Sequence, residues 1–298
     1  MHLDIYLILG SAVVGVLVGM TGMGGGALMT PMLVLLFGVA PSSAISSDLV
    51  AALFMKPAGV AIHWRRRTVQ KEIVKYLCIG SVPAAFLGTY AMHLMGNSAS
   101  AEHGLQVLLG IALVLGAASM ILRSFLTRRH VAPSEHLTVR PLPTVLVGVG
   151  AGFMVGLTSV GAGSLLVVSL LALYPRFRSD QLVGTDLTQS VPLTLGATAG
   201  TLIFGHVTFA LTASIIVGSV PAVILGSLFS SRGTTPVIRP MITGVVLLSG
   251  LKYLGLSTDA LGITALPVMM AVVVVIMRAA NQRAAAFAVV PVDEGALS

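Results

Sequence analysis

Three charged residues stand inside long apolar runs of this sequence: Asp48, Lys56 and Asp186. A charge held in an apolar medium costs a few kcal/mol unless it is paired or hydrated, so such residues are read first as functional. A buried carboxylate can take up a proton or a small cation. A buried ammonium can attract an anion. Lys56 follows Asp48 by two helical turns, which allows it to serve a substrate or to neutralise Asp48. The structural alternatives are plain: both aspartates can stabilise a helix start through its dipole, and Lys56 can snorkel. Gln189, about one turn past Asp186, and His63, two turns past Lys56, are grouped with the aspartates as coupling or gating candidates. A lone histidine at the border of an apolar run, such as His63 or His206, is usually structural, with a proton relay as the alternative.

The second kind of chemistry lies in two glycine-rich breaks. The first reads Thr21-Gly-Met-Gly24-Gly25-Gly26 and the second Thr158-Ser159-Val-Gly161-Ala-Gly163-Ser164. A helix that restarts after such a break begins with unpaired backbone N–H groups and the positive end of its dipole. An anion brought there meets donors without a counter-charge, and glycine lets the backbone come close. Thr21, Thr30, Thr158, Ser159 and Ser164 add hydroxyls beside the breaks. The expected anion site therefore comprises Thr21, Gly24, Gly25, Gly26, Lys56, Thr158, Ser159, Gly161, Gly163 and Ser164. Gly15, Gly19, Gly152 and Gly156 have GxxxG spacing and read first as places where helices pack closely. The first break is no nucleotide loop, since it lacks GxxxxGK[ST] and a strand before it. Neither HExxH, CxxC nor a clustered set of metal ligands occurs, so an enzyme, a metal site or a cofactor has no visible machinery.

The elements that must position these residues are membrane helices. Of 298 residues 56% are hydrophobic and 9% charged, and mean hydropathy is +0.99. A soluble domain carries about 25% charged residues. The apolar runs reach the length of roughly 17–25 residues that a spanning helix needs, and do not alternate in polarity as barrel strands would. Single Cys78 excludes an intrachain disulfide. The start of the chain has no Lys or Arg before its apolar run, which argues against a cleaved signal peptide. The net charge of +7 does not imply nucleic acid, because the basic residues fall in short clusters between apolar runs, as orientation signals do.

The chain repeats itself. Gly15, Gly19, Thr21, Gly24 and Gly26 are matched by Gly152, Gly156, Thr158, Gly161 and Gly163 at an offset of 137. After one insertion the match continues at 138, pairing Asp48-Leu49 with Asp186-Leu187 and GSVPA at 80–84 with GSVPA at 218–222. Lys56 then falls on Thr194, so one half has a fixed cation and the other does not. The division is a first repeat over 1–125, a cytoplasmic linker over 126–141, a second repeat over 142–256, and an extra helix and tail over 257–298. Each repeat predicts a broken pair of short segments (3–20 and 27–39; 142–157 and 163–174), then three longer helices (44–63, 72–95 and 104–125; 180–204, 207–230 and 236–256). The second short segments, about 20 Å of helix, fall short of a hydrocarbon core of about 30 Å, so the breaks are read as re-entrant tips or short tilted helices.

Three full helices make each repeat odd and the copies opposite in orientation. Placing Arg65–Arg67, Lys71 and Lys75 in the cytoplasm brings all the loop Lys and Arg to that side, while GNSASAEH, the 205–206 turn and GLSTDA carry none. The N-terminus is then outside and the C-terminus cytoplasmic. Paired glycine-interrupted segments in inverted halves are the best sequence pointer to the substrate site of a secondary transporter.

The runs GMTGMGGGALMTPMLVLLFG and GLTSVGAGSLL and the paired GSVPA segments resemble the sulfite exporter TauE/SafE family over nearly the whole chain. SSDLVAALFMKPAG and GTDLTQSVPLTL are similar to a subgroup with Asp where many members carry Ser. The resemblance implies transport of sulfite, sulfonates or other small organosulfur anions. Two departures weaken the equivalence of the breaks: the second has GAGS in place of a glycine triplet, and Val168 stands where the first half has Pro31. The expectation is thus an all-α integral membrane protein of two inverted repeats, each a glycine-broken hairpin plus three helices, with one extra C-terminal helix. It would move a small anion across the cell (inner) membrane by alternating access. Its partners would be that anion, a coupling proton or cation, the lipid bilayer and, in a homo-oligomer, further copies of the chain. A channel-like path without coupling is the rival.

Overall fold

The computed structural model describes residues 4–21, 25–65, 69–96, 98–126, 138–161, 163–177, 179–205, 207–230 and 238–288. Within them the chain forms α1 (Ile5–Thr21), α2 (Gly26–Leu35), α3 (Pro41–Arg65), α4 (Lys71–Met95), α5 (Ala99–Leu126), α6 (Pro141–Thr158), α7 (Leu165–Leu173), α8 (Ser179–Phe204), α9 (Phe209–Ser230), α10 (Ile238–Tyr253) and α11 (Thr258–Ala288). No strand occurs among the described residues. The all-helical membrane architecture expected from the apolar runs is what the chain adopts. A lipid-facing backbone must satisfy its hydrogen bonds within one segment, and helices do that.

Five of these helices, α4, α5, α6, α9 and α11, are both long and apolar enough to cross a membrane. With 25 and 26 residues, α3 and α8 are as long, but they carry the buried polar and charged side chains. The second short segments are shorter than expected: α2 has 10 residues and α7 has 9. Gly38 at φ +64° lies in the turn beyond α2. Gly163 at φ +91° delays the start of α7. At 1.5 Å per residue the two helices are roughly 14–15 Å long.

Packing exchanges helices between the repeats. The first helix of each repeat lies along the fourth helix of the other, α1 on α9 and α4 on α6; α3 crosses α8, and α5 crosses α10. Swapping the two repeats leaves this pattern unchanged, down to single residues. A Cβ at Gly15 would strike the Ser219 carbonyl, and one at the equivalent Gly152 the Ser81 carbonyl. Gly19 meets the Val223 carbonyl as Gly156 meets that of Ala85. Gly80 meets Val145 as Gly218 meets Ile8, and Gly88 meets Phe153 as Gly226 meets Val16. The GxxxG glycines and the paired GSVPA segments are thus two sides of the same seams, where small residues let backbones touch.

The main apolar core, with Met29, Leu33, Ile45, Leu49, Leu105, Leu113 and Ile215, lies where α2, α3, α5 and α9 meet. A second core, including Ile73, Leu77, Leu166, Leu170 and Leu182, sits under α4, α7 and α8. Outward residues such as Ile5, Leu9, Leu142 and Leu146 are 59–70% exposed and face the lipid. Beyond the repeats, α11 packs on α10 and α5 from outside.

Candidate functional site

Along α8 the residues turned towards α3 are polar for the length of the helix: Asp186, Gln189, Ser190, Thr194, Thr198 and Thr201 are all buried. Asp186, Ser190, Thr194 and Thr198 follow one another at a helical spacing of four, the period of a single face, with Gln189 three residues after Asp186 and Thr201 three after Thr198. Opposite, α3 buries Ser46, Ser47 and Asp48. A polar stripe in the middle of a lipid-bound fold is costly unless it hydrogen-bonds internally or receives something polar. Some of it is satisfied: the Thr198 hydroxyl donates across the crossing to the Leu49 carbonyl at 3.1 Å. Much is not. Ser46 Oγ, Ser47 Oγ, Asp48 Oδ1, Asp186 Oδ1 and both amide atoms of Gln189 are buried without a hydrogen-bond partner. Buried polar groups in folded proteins are nearly always paired, and exceptions ask for a reason.

Asp48 ties three elements together. Its Oδ2 accepts from Thr30 on α2 at 2.8 Å and from Ser159 at the second break at 2.8 Å. Ser159 caps α6 in the left-handed region, at φ +58°, and is the only non-glycine residue with positive φ among those described. Its N–H donates to the Val155 carbonyl at 2.7 Å, which closes the helix and turns the hydroxyl to Asp48. The two breaks meet here: a Cβ on Gly26 would overlap the Ser159 backbone. Gly25 is different. It is in ordinary helical conformation, and a Cβ there would touch only the end of the Met55 side chain, at 3.4 Å. Gly161 and Gly163 do need glycine, at φ +124° and +91°.

Lys56 reaches away from Asp48. Its ammonium donates to the Thr194 hydroxyl on α8 and lies 3.5 Å from the Ser190 carbonyl. The Thr194 hydroxyl in turn donates to that carbonyl at 2.6 Å. The sequence alternative in which Lys56 simply pairs with Asp48 therefore describes no hydrogen bond in this structure. Both carboxylates are within electrostatic reach of Lys56, Asp186 on α8 more strongly than Asp48 on its own helix. Asp186 receives the Gly163 backbone N–H and has Lys56 and Arg123 as its cationic neighbours.

Of the expected site residues, the structure brings together Gly26, Asp48 and Ser159 at the meeting of the breaks, and Lys56, Asp186 and Gly163 around α8. Gln189 belongs to the same α8 stripe. Thr21 and Thr158 hydroxyls are used within their own helices, donating at 2.7 Å to Leu17 and Met154 carbonyls. Ser164 makes no capping bond and faces Gly116 on α5. Gly24, His206 and the His63 side chain lie outside the described residues. Nothing in the sequence marks Ser190, and the repeat makes Thr194 the counterpart of Lys56 without showing that the two touch. Among the described residues no three His, Cys, Asp or Glu side chains gather to hold a metal.

The sulfite exporter TauE/SafE family model matches residues 7–253. The chain is 38% identical over 261 residues to "Probable membrane transporter protein YjnA" of Bacillus subtilis (strain 168), covering 85% of this chain and 100% of that protein. It is 23% identical over 248 residues to "Probable membrane transporter protein YdhB" of the same organism, covering 81% and 99%. A third relative there, "Probable membrane transporter protein YunE", is 23% identical over 271 residues, covering 85% and 98%. The chain belongs to the TauE/SafE family of membrane transporters.

Proposed function

We propose that this TauE/SafE protein carries a small anion, sulfite, a sulfonate or another organosulfur anion, by alternating access between two inverted repeats. The anion binds where α3 crosses α8, and Asp48 and Asp186 handle a coupling proton or cation. The observation that carries this reading is the Lys56 ammonium, set between α3 and α8 and bonded to neutral oxygens of Thr194 and Ser190. An ammonium has three N–H donors. Two point at these oxygens, which leaves one for an incoming oxyanion. The attraction is stronger than in water because the site is buried and screened little by solvent.

Charge balance supports coupling. Two carboxylates, Asp48 and Asp186, face two cations, Lys56 and Arg123. A monovalent anion entering this set adds one uncompensated negative charge. A proton on either carboxylate, or a cation beside its unpartnered oxygen, removes that cost. The exchanged packing supports a two-fold relation between the repeats, and the odd number of long helices in each supports opposite orientations, as in transporters with inverted repeats. The loop Lys and Arg then favour an outside N-terminus and a cytoplasmic C-terminus, in the cell (inner) membrane.

Uptake of sulfite, thiosulfate, sulfate and small sulfonates into proteoliposomes tests the reading. Saturable uptake of at least one organosulfur anion, driven by a pH or cation gradient, is expected. Uptake that never saturates and ignores every imposed gradient would instead establish a channel-like path.

A further inference from the structure

The geometry points to Lys56 standing on the axis that relates the two halves, so that the anion site has one cationic position which either half can supply. This rests on the proposed anion site but makes a separate claim about its symmetry. Lys56 of the first repeat and Thr194 of the second are the same position of the repeated unit, 138 residues apart, and they hydrogen-bond to each other. Two positions related by a two-fold axis can touch only beside that axis. The axis is visible independently, since four pairs of glycine contacts along α1–α9 and α4–α6 are reproduced residue for residue when the halves are exchanged. The α3–α8 crossing pairs two equivalent helices with each other, so the axis must run through it.

The chemistry around the ammonium is one-sided although the backbone is not. Thr194 and Ser190 are both on the second half. Their counterparts are Lys56 itself and Ala52. The neighbouring carboxylates, in contrast, occur in both halves, with Asp48 and Asp186 each two turns from the central position of its helix. Moving the lysine from α3 to α8 returns the ammonium to the same point. There it would donate to a threonine at 56 and lie near the Ala52 carbonyl, still within reach of the same two carboxylates. Two lysines at once would bring two ammonium groups to one place. The ligand class follows: a small oxyanion that needs one fixed cation and hydroxyl donors, and that the cation meets equally from either face of the membrane.

A double-mutant cycle on the full-length protein tests this, with melting in detergent and sulfite uptake into proteoliposomes as the two readouts. Lys56→Thr should lose uptake by about tenfold or more, as loss of a charged hydrogen bond implies. Thr194→Lys should melt well below wild type because of like charges in contact. The exchanged variant, Lys56→Thr with Thr194→Lys, should melt within about 4 °C of wild type, roughly 1–2 kcal/mol for a protein of this size, and should recover uptake to within about threefold, under half of the tenfold step worth about 1.4 kcal/mol. Melting changes that simply add, or an exchanged variant that does not fold, would overturn the axial placement. Recovered melting without recovered uptake, in a wild type that takes up sulfite, would overturn the shared cation and leave the anion site standing. If wild type takes up no organosulfur anion, the proposed function fails, and the melting cycle alone still decides where Lys56 stands.

Discussion

The seams between repeats and the crossing at the centre obey opposite rules. Along α1–α9 and α4–α6, equivalent residues do equivalent things: Gly19 against Val223 is repeated by Gly156 against Ala85. At the α3–α8 crossing equivalence is broken, with lysine facing threonine and Gln189 standing opposite Ala51 in the repeat. The difference shows how a duplicated unit acquires chemistry. Close backbone packing needs a glycine on one side of each contact and a carbonyl on the other, so both copies keep the glycines while the residue bearing the carbonyl differs, Val223 in one and Ala85 in the other. At the crossing Lys56 and Thr194 are in contact, so a second lysine in place of Thr194 would set two like charges against each other.

The comparison can be broken most severely at the seams. Gly19→Leu or Gly156→Leu forces a side chain into a backbone carbonyl of the neighbouring helix. Overpacking of this sort costs about 3 kcal/mol or more when neither backbone can move. Both variants should give little monodisperse protein in detergent, and a wild-type melting curve for either would show that the seams are loose.

At the crossing the largest effect should fall on transport. Lys56→Met removes the ammonium and keeps much of the stem's volume, so uptake should drop about 10–100-fold, the value of a charged hydrogen bond. Melting should change far less than in the seam variants. Equal losses of melting and uptake would make Lys56 a structural residue.

Asp48→Asn is milder. The amide oxygen can still accept from Thr30 and Ser159, so the fold should persist, but the group no longer takes up a proton. Uptake should be reduced and its pH dependence flattened relative to wild type. An unchanged pH profile would assign coupling to Asp186 or elsewhere.

The smallest effect separates backbone from side chain at Ser159. Ser159→Ala loses the bond to Asp48 and keeps the left-handed strain, whereas Ser159→Gly loses the bond and relieves it. The glycine variant should therefore be more stable than the alanine variant by about 1 kcal/mol, read from thermal melts of the two. If alanine is the more stable, the positive φ at Ser159 carries no strain.

Much of this architecture was legible because membrane helices announce themselves by length and apolarity, and because the repeat gave each boundary a second witness. The shortening of α2 from 27–39 to Gly26–Leu35 was not legible, since Val39 and Phe37 are as apolar as the helix itself. Asp48, Lys56 and Asp186 stood out as charges in apolar runs. Their partners did not, because nothing in a sequence says that the Ser159 hydroxyl turns to Asp48 while the Thr158 hydroxyl next to it turns back to Met154. The GSVPA segments marked the repeat, yet their role as packing surfaces appears only when each glycine is seen against a carbonyl of the other half.

The exchange of helices also governs how the chain is made. The seam partner of α1 (Ile5–Thr21) is α9 (Phe209–Ser230), roughly 200 residues later. At synthesis rates of about 5–20 residues per second, α1 waits about 10–40 s for the surface it packs against. Throughout that interval its glycine face must rest on lipid or on the insertion machinery. Both seams join one repeat to the other, α1 to α9 and α4 to α6, so neither closes until helices of the second repeat have been made.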